Sequence, residues 1–348
     1  MSKDGPSKDA ATIKDIANAL GIAYSTVSRA LSDHRHTSEK MKKRVRDAAA
    51  AMGYVPNTAA RLMRGSPRTQ IGLIVPDIQN PLFSTCAEVL ADHCSKLGYQ
   101  LVLSISDDDP HTELRQVQAM REAQVAGLVI AASPGTLTDT RRLLSAVPSV
   151  QLALRNKDLG IPSVSTADYD GFKRGAHHLI QLGHRRIGFI QGPKALNTST
   201  ERLSGVQDAM SEANIPLEEL LEVSVPLRAD ASRNATTGLL QLKRRPTAII
   251  AGNSVLAVGA LEAIARHGIK VPEELSFIGC GDGDLFRLWG FGVTTLNGPM
   301  KSVSETVFSL LEQQITEPDQ KMDAATHLVL GYDFILRGTT APPFQEII

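Results

Sequence analysis

Tyr24, Ser25, Thr26, Ser28 and Arg29 place a phenol, three hydroxyls and a guanidinium within six residues. Their neighbours Val27, Ala30 and Leu31 recur at helical spacing, so the polar set falls on the opposite face of a helix. Such groups can hydrogen-bond base edges and phosphate oxygens in a DNA major groove, and nothing on that face asks to be buried. The chemistry is recognition rather than bond breaking.

A helix of this kind must be held by a second one. Ile13, Ile16, Ala17 and Leu20 share one face of an earlier helix, with Thr12 as its cap and Asp15 near its positive end. Gly21 supplies the left-handed turn between them. By spacing alone this could be an amphipathic hairpin inside a core; the polar face of the second helix selects a helix-turn-helix. A third helix is predicted over about 38–52, capped by Ser38 and closed by Gly53. Met41, Val45, Ala48 and Met52 form its inner face, and Lys40, Lys42, Lys43, Arg44 and Arg46 its outer one. That outer run serves either as a solvated face or as phosphate contacts. Pro56 starts a further short run that Gly65 and Pro67 end. It is shorter than the roughly 12–15 residues an isolated helix needs in water, so it should order only against a partner.

The net charge of zero hides a division. Residues 1–70 carry 13 Lys/Arg against 6 Asp/Glu, and residues 71–348 carry 24 against 31. A basic head on an acidic body is the footprint of a nucleic-acid-binding module joined to something else. The N-terminus has no apolar run of a signal peptide, and no stretch reaches the roughly 18 apolar residues of a membrane helix. A soluble, cytoplasmic, nucleoid-associated protein is therefore expected. Cys86, Cys94 and Cys280 lack the count and pairing of a disulfide framework or zinc site. Cys86 and Cys94, eight apart on one helix, are expected to be buried.

From Ile71 the pattern alternates between short apolar strands and amphipathic helices. Strands are predicted at 71–75, 101–105, 127–131, 150–153, 187–190, 223–225, 248–251 and 275–279. Helices are predicted at 82–97, 112–124, 171–182, 202–213 and 255–267. This is the signature of doubly wound parallel sheets, and the number of units calls for two similar lobes with a cleft between them. Ligands of such folds bind at the carboxyl ends of the strands.

At this point the motifs converge. Thr12–Leu31, Gly53-Tyr-Val-Pro-Asn57, Ile71-Gly-Leu-Ile-Val-Pro-Asp77 and Asn80-Pro-Leu-Phe83 are followed by His178-Leu-Ile-Gln-Leu-Gly-His184 and Ile190-Gln-Gly-Pro193. Glu201-Arg-Leu-Ser-Gly205, Ala257-Val-Gly-Ala260 and Val271-Pro-Glu-Glu-Leu-Ser-Phe-Ile-Gly279 complete the series. In this order the chain resembles the lactose-repressor (LacI/GalR) family of bacterial transcription regulators over essentially its whole length. The resemblance implies an all-α helix-turn-helix head plus hinge helix, joined to an α/β periplasmic-binding-protein-like domain of two doubly wound parallel-sheet lobes. The boundaries expected are a tail at 1–11, the head at 12–56, hinge and linker at 57–70, the effector-binding and dimerisation domain at 71–340, and a tail at 341–348.

By that resemblance Tyr24, Ser25 and Arg29 match positions that read bases. Arg29 is matched to guanine, whose two acceptors fit a guanidinium fork. Thr12, Thr26, Ser28, His36 and Asn57 match backbone contacts. Met63 stands where the family usually has a leucine wedged into the minor groove, a role open to methionine. Effector contacts are implied for Phe83, Thr166, Thr198, Arg202, Asn253 and Asp282. Alternatives remain for several: a surface arginine for Arg202, a turn cap for Asn253, core packing for Phe83. The chain departs from the family pattern at Asn253-Ser254, where Asn-Asp is usual, and at Gly279-Cys-Gly-Asp282, where the acid falls one position late. An aromatic common near Leu227 is missing. These departures argue against a standard neutral sugar bound in the standard way, and Gly279-Cys-Gly-Asp-Gly-Asp284 is similar to a Gly-Phe-Gly-Asp variant of sugar-acid regulators, which implies a sugar acid.

Competing signals fall away. Gly279-Cys-Gly-Asp-Gly lacks the third glycine of a dinucleotide fingerprint, and Asp109 before Pro110 is a helix cap. His177, His178 and His184 lack metal-ligand spacing. No nucleophile–base pair suggests an enzyme, and no cofactor or metal is expected. The partners implied are operator DNA, a small-molecule effector and a second copy of the chain in a homodimer. Pro342 and Pro343 argue against a C-terminal heptad helix. A sugar-binding transport protein is the alternative that the lobes alone would allow.

Overall fold

A computed structural model describes residues 11–31, 35–54, 68–153, 155–320, 323 and 325–344. The chain divides into two compact units, Met1–Arg68 and Thr69–Ile348.

The first unit contains α1 (Ile13–Leu20), α2 (Tyr24–Leu31) and α3 (Glu39–Ala51). Ile16, Ala17, Val27, Ala30, Val45 and Ala49 form its small core. Thr12 and Asp15 make a reciprocal capping box, in which the Asp15 N–H donates to Thr12 Oγ1 and the Thr12 N–H to Asp15 Oδ2. Gly21 ends α1 at φ 63°, as a β-carbon-free residue must at that turn. Two details of the expected third helix change. Met52 is 36% exposed, and Ala49 and Tyr54 join the core instead. Lys42 lies inward at 6% exposure and pairs with Glu39, so it is not part of an outer basic face. Arg44 donates to the carbonyl of Leu20, satisfying the end of α1.

The second unit runs β1 (Gln70–Val75), α4 (Pro81–Lys96), β2 (Gln100–Ile105), α5 (Pro110–Glu122), β3 (Gly127–Ile130), α6 (Thr138–Leu144), β4 (Ser149–Ala153), β5 (Ser163–Thr166) and α7 (Asp168–Gln181). It continues with β6 (Ile187–Gln191), α8 (Asn197–Glu212), β7 (Leu220–Ser224), α9 (Ala229–Leu240), β8 (Ala248–Ala251), α10 (Ser254–Arg266), β9 (Ser276–Cys280) and α11 (Asp284–Leu288). It ends with β10 (Thr294–Asn297), α12 (Met300–Thr316), β11 (His327–Leu330) and β12 (Asp333–Ile335).

Two six-stranded sheets result, ordered β11-β5-β4-β3-β1-β2 and β12-β10-β9-β8-β6-β7. All pairings are parallel except that of β12 with β10. Helices cover both faces of each sheet. In the first lobe, Leu73 and Val75 pack with Phe83, Leu90, Val303, Val307 and Leu311, while Ile74 turns to Val117, Met120 and Leu144. In the second, Phe189 faces Phe172, Val206 and Met210, and its neighbour Ile190 faces Leu256, Leu261 and Phe277. This two-sided burial is why the strands read as continuous apolar runs.

The motif glycine Gly205 has a steric cause, since a Cβ there would strike the carbonyl of Tyr169 on α7. Cys86, Cys94 and Cys280 are free and buried. Asp109 caps α5 by accepting from the His111 and Thr112 amides. Among the described residues no helix is long and apolar enough to cross a membrane.

Candidate functional site

On the head, α2 presents its polar side chains outward because Val27 and Ala30 anchor the other face at 0% exposure. Tyr24 is 49% exposed, Ser25 and Arg29 are also exposed, and Thr26 and Ser28 are half-buried. Helical spacing sets Ser25, Ser28 and Arg29 beside one another, one turn apart. His36 is exposed and accepts from Arg35 Nε at 3.2 Å. The hydroxyl of Thr12 is engaged in the capping box, where it donates to Asp15 Oδ2 at 2.7 Å; that side chain and the Thr12 backbone hold Asp15 below the usual carboxylate range. Asn57 and Met63 lie outside the described residues, as does the expected hinge run at 57–64.

In the second unit a cavity of about 1000 Å³ opens at the carboxyl ends of the strands of both sheets. The first lobe contributes Asp77, Asn80, Leu82 and Met300, and the second Arg202, Asn253, Ser254, Cys280 and Asp282 among others. Apolar Leu227, Val255 and Leu285 supply much of the wall.

Arg202 projects from α8 and is 9% exposed. Its Nε donates to Asp168 Oδ1 at 2.6 Å, Nη1 to the Gly252 carbonyl, and Nη2 to the Tyr332 hydroxyl at 3.3 Å. The guanidinium also lies over the Phe172 ring, 5.2 Å from its centroid. Burial would lower its pKa, but Asp168 and Tyr332 outweigh that and the pKa is raised. Three of five N–H donors are thus spent on the protein, leaving two for a ligand.

Asn253 caps α10 by accepting from the Val255 amide at 2.8 Å, and its side-chain NH₂ is without a partner among the described residues. The adjacent Ser254 hydroxyl donates across the cavity to Asn80 Oδ1 at 3.2 Å, while Asn80 itself caps α4. A second bond between the lobes runs from Asn197 Nδ2 to the Arg155 carbonyl. Asp282 lines the cavity, but its carboxylate is already held by two arginines, Arg337 Nη1 at 2.6 Å and Arg287 Nη2 at 3.3 Å. Burial alone would raise its pKa, and Arg337 reverses the sign. Gly281, just before it, adopts the left-handed φ of 89° that favours glycine.

Three expected effector residues do not line this cavity. Phe83 is 7% exposed and packs in the first-lobe core. Its neighbours Leu82 and Thr85, three apart on α4, face the cavity, and Phe83 is rotated about 100° away towards the sheet. Thr166 is buried beside Asp168, with Oγ1 3.2 Å from Oδ2. Thr198 sits in the first turn of α8, away from the lining. Conversely, Asp168, Tyr332, Asn80 and Asn297 were not anticipated from the sequence. Tyr332 falls between two edge strands of only four and three residues, too short to stand out in the sequence, and Asp168 opens a helix as any capping-turn acid would. Among the described residues no group of three or more His, Cys, Asp or Glu is arranged to hold a metal. His177, His178 and His184 have structural partners: His177 with Glu212, His178 with Thr340, and His184 with Thr247, Ser276 and the Ala341 carbonyl.

Comparison with known proteins agrees with this arrangement. Residues 12–57 match the bacterial regulatory proteins of the lacI family, and residues 176–340 match a periplasmic binding protein-like domain. The HTH-type transcriptional regulator DegA of Bacillus subtilis (strain 168) is 30% identical over 339 residues, covering 95% of this chain and 98% of that protein. The HTH-type transcriptional repressor PurR of Photorhabdus laumondii is 30% identical over 322 residues, covering 91% and 93%. The crystal structure of the lac repressor dimer, bound to operator and the anti-inducer ONPF, superposes with a TM-score of 0.81 at 24% identity, covering 96% of this chain and all of that one. The chain belongs to the LacI family of DNA-binding transcriptional regulators.

Proposed function

We propose that this protein is a homodimeric repressor in the cytoplasm, which binds a pseudo-palindromic operator and whose grip on DNA changes with a small polar metabolite in the interlobe cavity. The observation that carries the reading is the pairing of an outward polar face on α2 with a cavity whose Arg202 and Asn253 retain uncommitted donors. Tyr24, Ser25 and Arg29 would read bases, with Arg29 on guanine. Thr12, Thr26, Ser28, His36 and Asn57 would contact the backbone, and Met63 would wedge the minor groove. The repressor role and dimeric state are supported by the repressor name of one relative and by the dimeric lac repressor fold.

The regulated operon is proposed to serve carbohydrate or sugar-acid metabolism. Arg202 donors suit carboxylate or hydroxyl oxygens of such a ligand. Asp282, tied to two arginines, would shape the wall rather than grip the ligand directly. Leu227 and Val255 give an apolar wall where a ring platform would suit a pyranose better. Ligand-driven closure would shift a two-state equilibrium by its differential affinity for the two states.

A mobility-shift experiment on the protein's own upstream region tests the first part, with salt-sensitive, sequence-specific binding expected. No preference for any palindrome would sink it. Thermal-shift screening of sugars, sugar acids and nucleosides tests the second. Stabilisation by a sugar or sugar acid that disappears in Arg202→Ala supports the site. Stabilisation that survives the substitution places the ligand elsewhere.

A further inference from the structure

The chain passes between the lobes three times, at 166–168 from β5 to α7, at 297–300 from β10 to α12, and at 330–333 from β11 to β12. Any opening or closing of the cavity must be absorbed by rotation within these segments. All three meet on one side chain. Tyr332 belongs to the third. Its hydroxyl donates to Asp168 Oδ1 at 2.9 Å and lies 3.5 Å from Thr166 Oγ1, both on the first. A Cβ placed on Gly298, in the second, would sit 3.5 Å from Tyr332 Cε1. The first turn of α7 presses on the same ring, since a Cβ on Gly171 would come within 2.8 Å of Cγ and Cδ2. Phe172 meets it edge-on at 6.0 Å. The Ala167 amide also donates to the Leu330 carbonyl at 2.8 Å, tying the first crossing to the third.

The same hydroxyl accepts from Arg202 Nη2, and both Arg202 and Tyr332 line the cavity. We propose that Tyr332 is a positioning residue that couples the cavity wall to the hinge. Through its hydroxyl, the orientation of Arg202 and the stiffness of the three crossings are set together. A ligand that draws an Arg202 donor away from Tyr332 loosens the crossings, and a closed hinge in turn holds Arg202 ready for the ligand. The inference rests on the effector-binding reading of the cavity, but its core is a property of the ligand-free protein.

Hydrogen exchange followed by mass spectrometry on the full chain, without ligand, tests it. Tyr332→Phe keeps the ring and removes the hydroxyl. Amides in 163–171, 294–301 and 328–334 should then exchange roughly tenfold faster, the scale of one lost hydrogen bond, while β3 and β8 stay protected as in the native chain. Arg202→Lys keeps the charge beside Asp168 but cannot reproduce the fork that reaches Tyr332, and it should loosen the same three segments. A uniform rise across both lobes, or none at the crossings, would overturn the proposal. So would faster exchange at the crossings in Tyr332→Phe with none in Arg202→Lys, because the hinge would then be braced without reference to the cavity. No ligand enters the experiment, so its outcome is read separately from that of the effector screen.

Discussion

The exposed polar face of α2 and the wall of the interlobe cavity use the same kinds of side chain in opposite ways. Tyr24, Ser25 and Arg29 are exposed on a helix whose opposite face packs into the small core of the head. Arg202 and Asp282 face a cavity but are bound to Asp168, Gly252, Tyr332, Arg337 and Arg287. In the head, the exposed polar side chains of α2 and the side chains that pack its core are different ones. In the effector unit the cavity-lining Arg202 and Asp282 are themselves structural partners, so a ligand there would meet side chains already partly committed to the protein.

This contrast can be broken from either end. The largest effect is expected from Arg202→Ala, which leaves Asp168 buried at 1% exposure without its cation. Removing one partner of a buried pair costs about 3–5 kcal/mol, read as a lower urea midpoint for the effector unit. If stability is unchanged, the pair is not structural and the contrast fails. Arg29→Ala should instead leave unfolding within about 0.5 kcal/mol of the native chain. It should relax preference at one operator position by roughly 1–3 kcal/mol in binding competitions. A uniform loss across all sequences would make Arg29 a phosphate contact.

Ser38→Ala removes the hydroxyl that accepts from the Met41 amide and caps α3. It should cost about 1 kcal/mol, confined to the head, with no change in any effector response. A smaller effect depends on pH. His184 is 1% exposed, and burial holds its pKa below the usual 6.5. The unfolded chain therefore takes up a proton before the folded one does. The stability this neutral histidine contributes is present above pH 6.5 and declines as the pH falls towards its depressed folded value. His184→Gln should flatten that acid limb in thermal melts between pH 7 and 5, and an unchanged slope would exclude His184 as its source.

What could be read from the sequence follows the same division. The head was legible because its signals are local: a cap three residues from its partner, a turn glycine, and apolar positions one turn apart. Lys42 escaped because its burial and its pairing with Glu39 depend on packing. In the lobes, the strands 70–75, 127–130 and 248–251 announced themselves as apolar runs, whereas β5 and β10 did not. Their sequences, Ser163-Val-Ser-Thr and Thr294-Thr-Leu-Asn, are rich in buried hydroxyls that look like loop. Arg202 and Asn253 carried motif signals. Tyr332 and Asp168 gave none, because they are 164 positions apart in the chain and their meaning exists only once the crossings are brought together.

Those three crossings have one more consequence, for biosynthesis. Neither lobe is a continuous stretch of chain. Val303, Val307 and Leu311 of α12 complete the first-lobe core, yet they are translated after the whole of β6 to β10. At 5–20 residues per second, the ribosome takes on the order of ten seconds to travel from Thr166 to Met300. Through that interval the nascent first lobe exposes the apolar surface around Leu73, Val75 and Leu90 that α12 will later cover. The newborn chain is then at its most adhesive, and this is the window in which a chaperone has most to offer it.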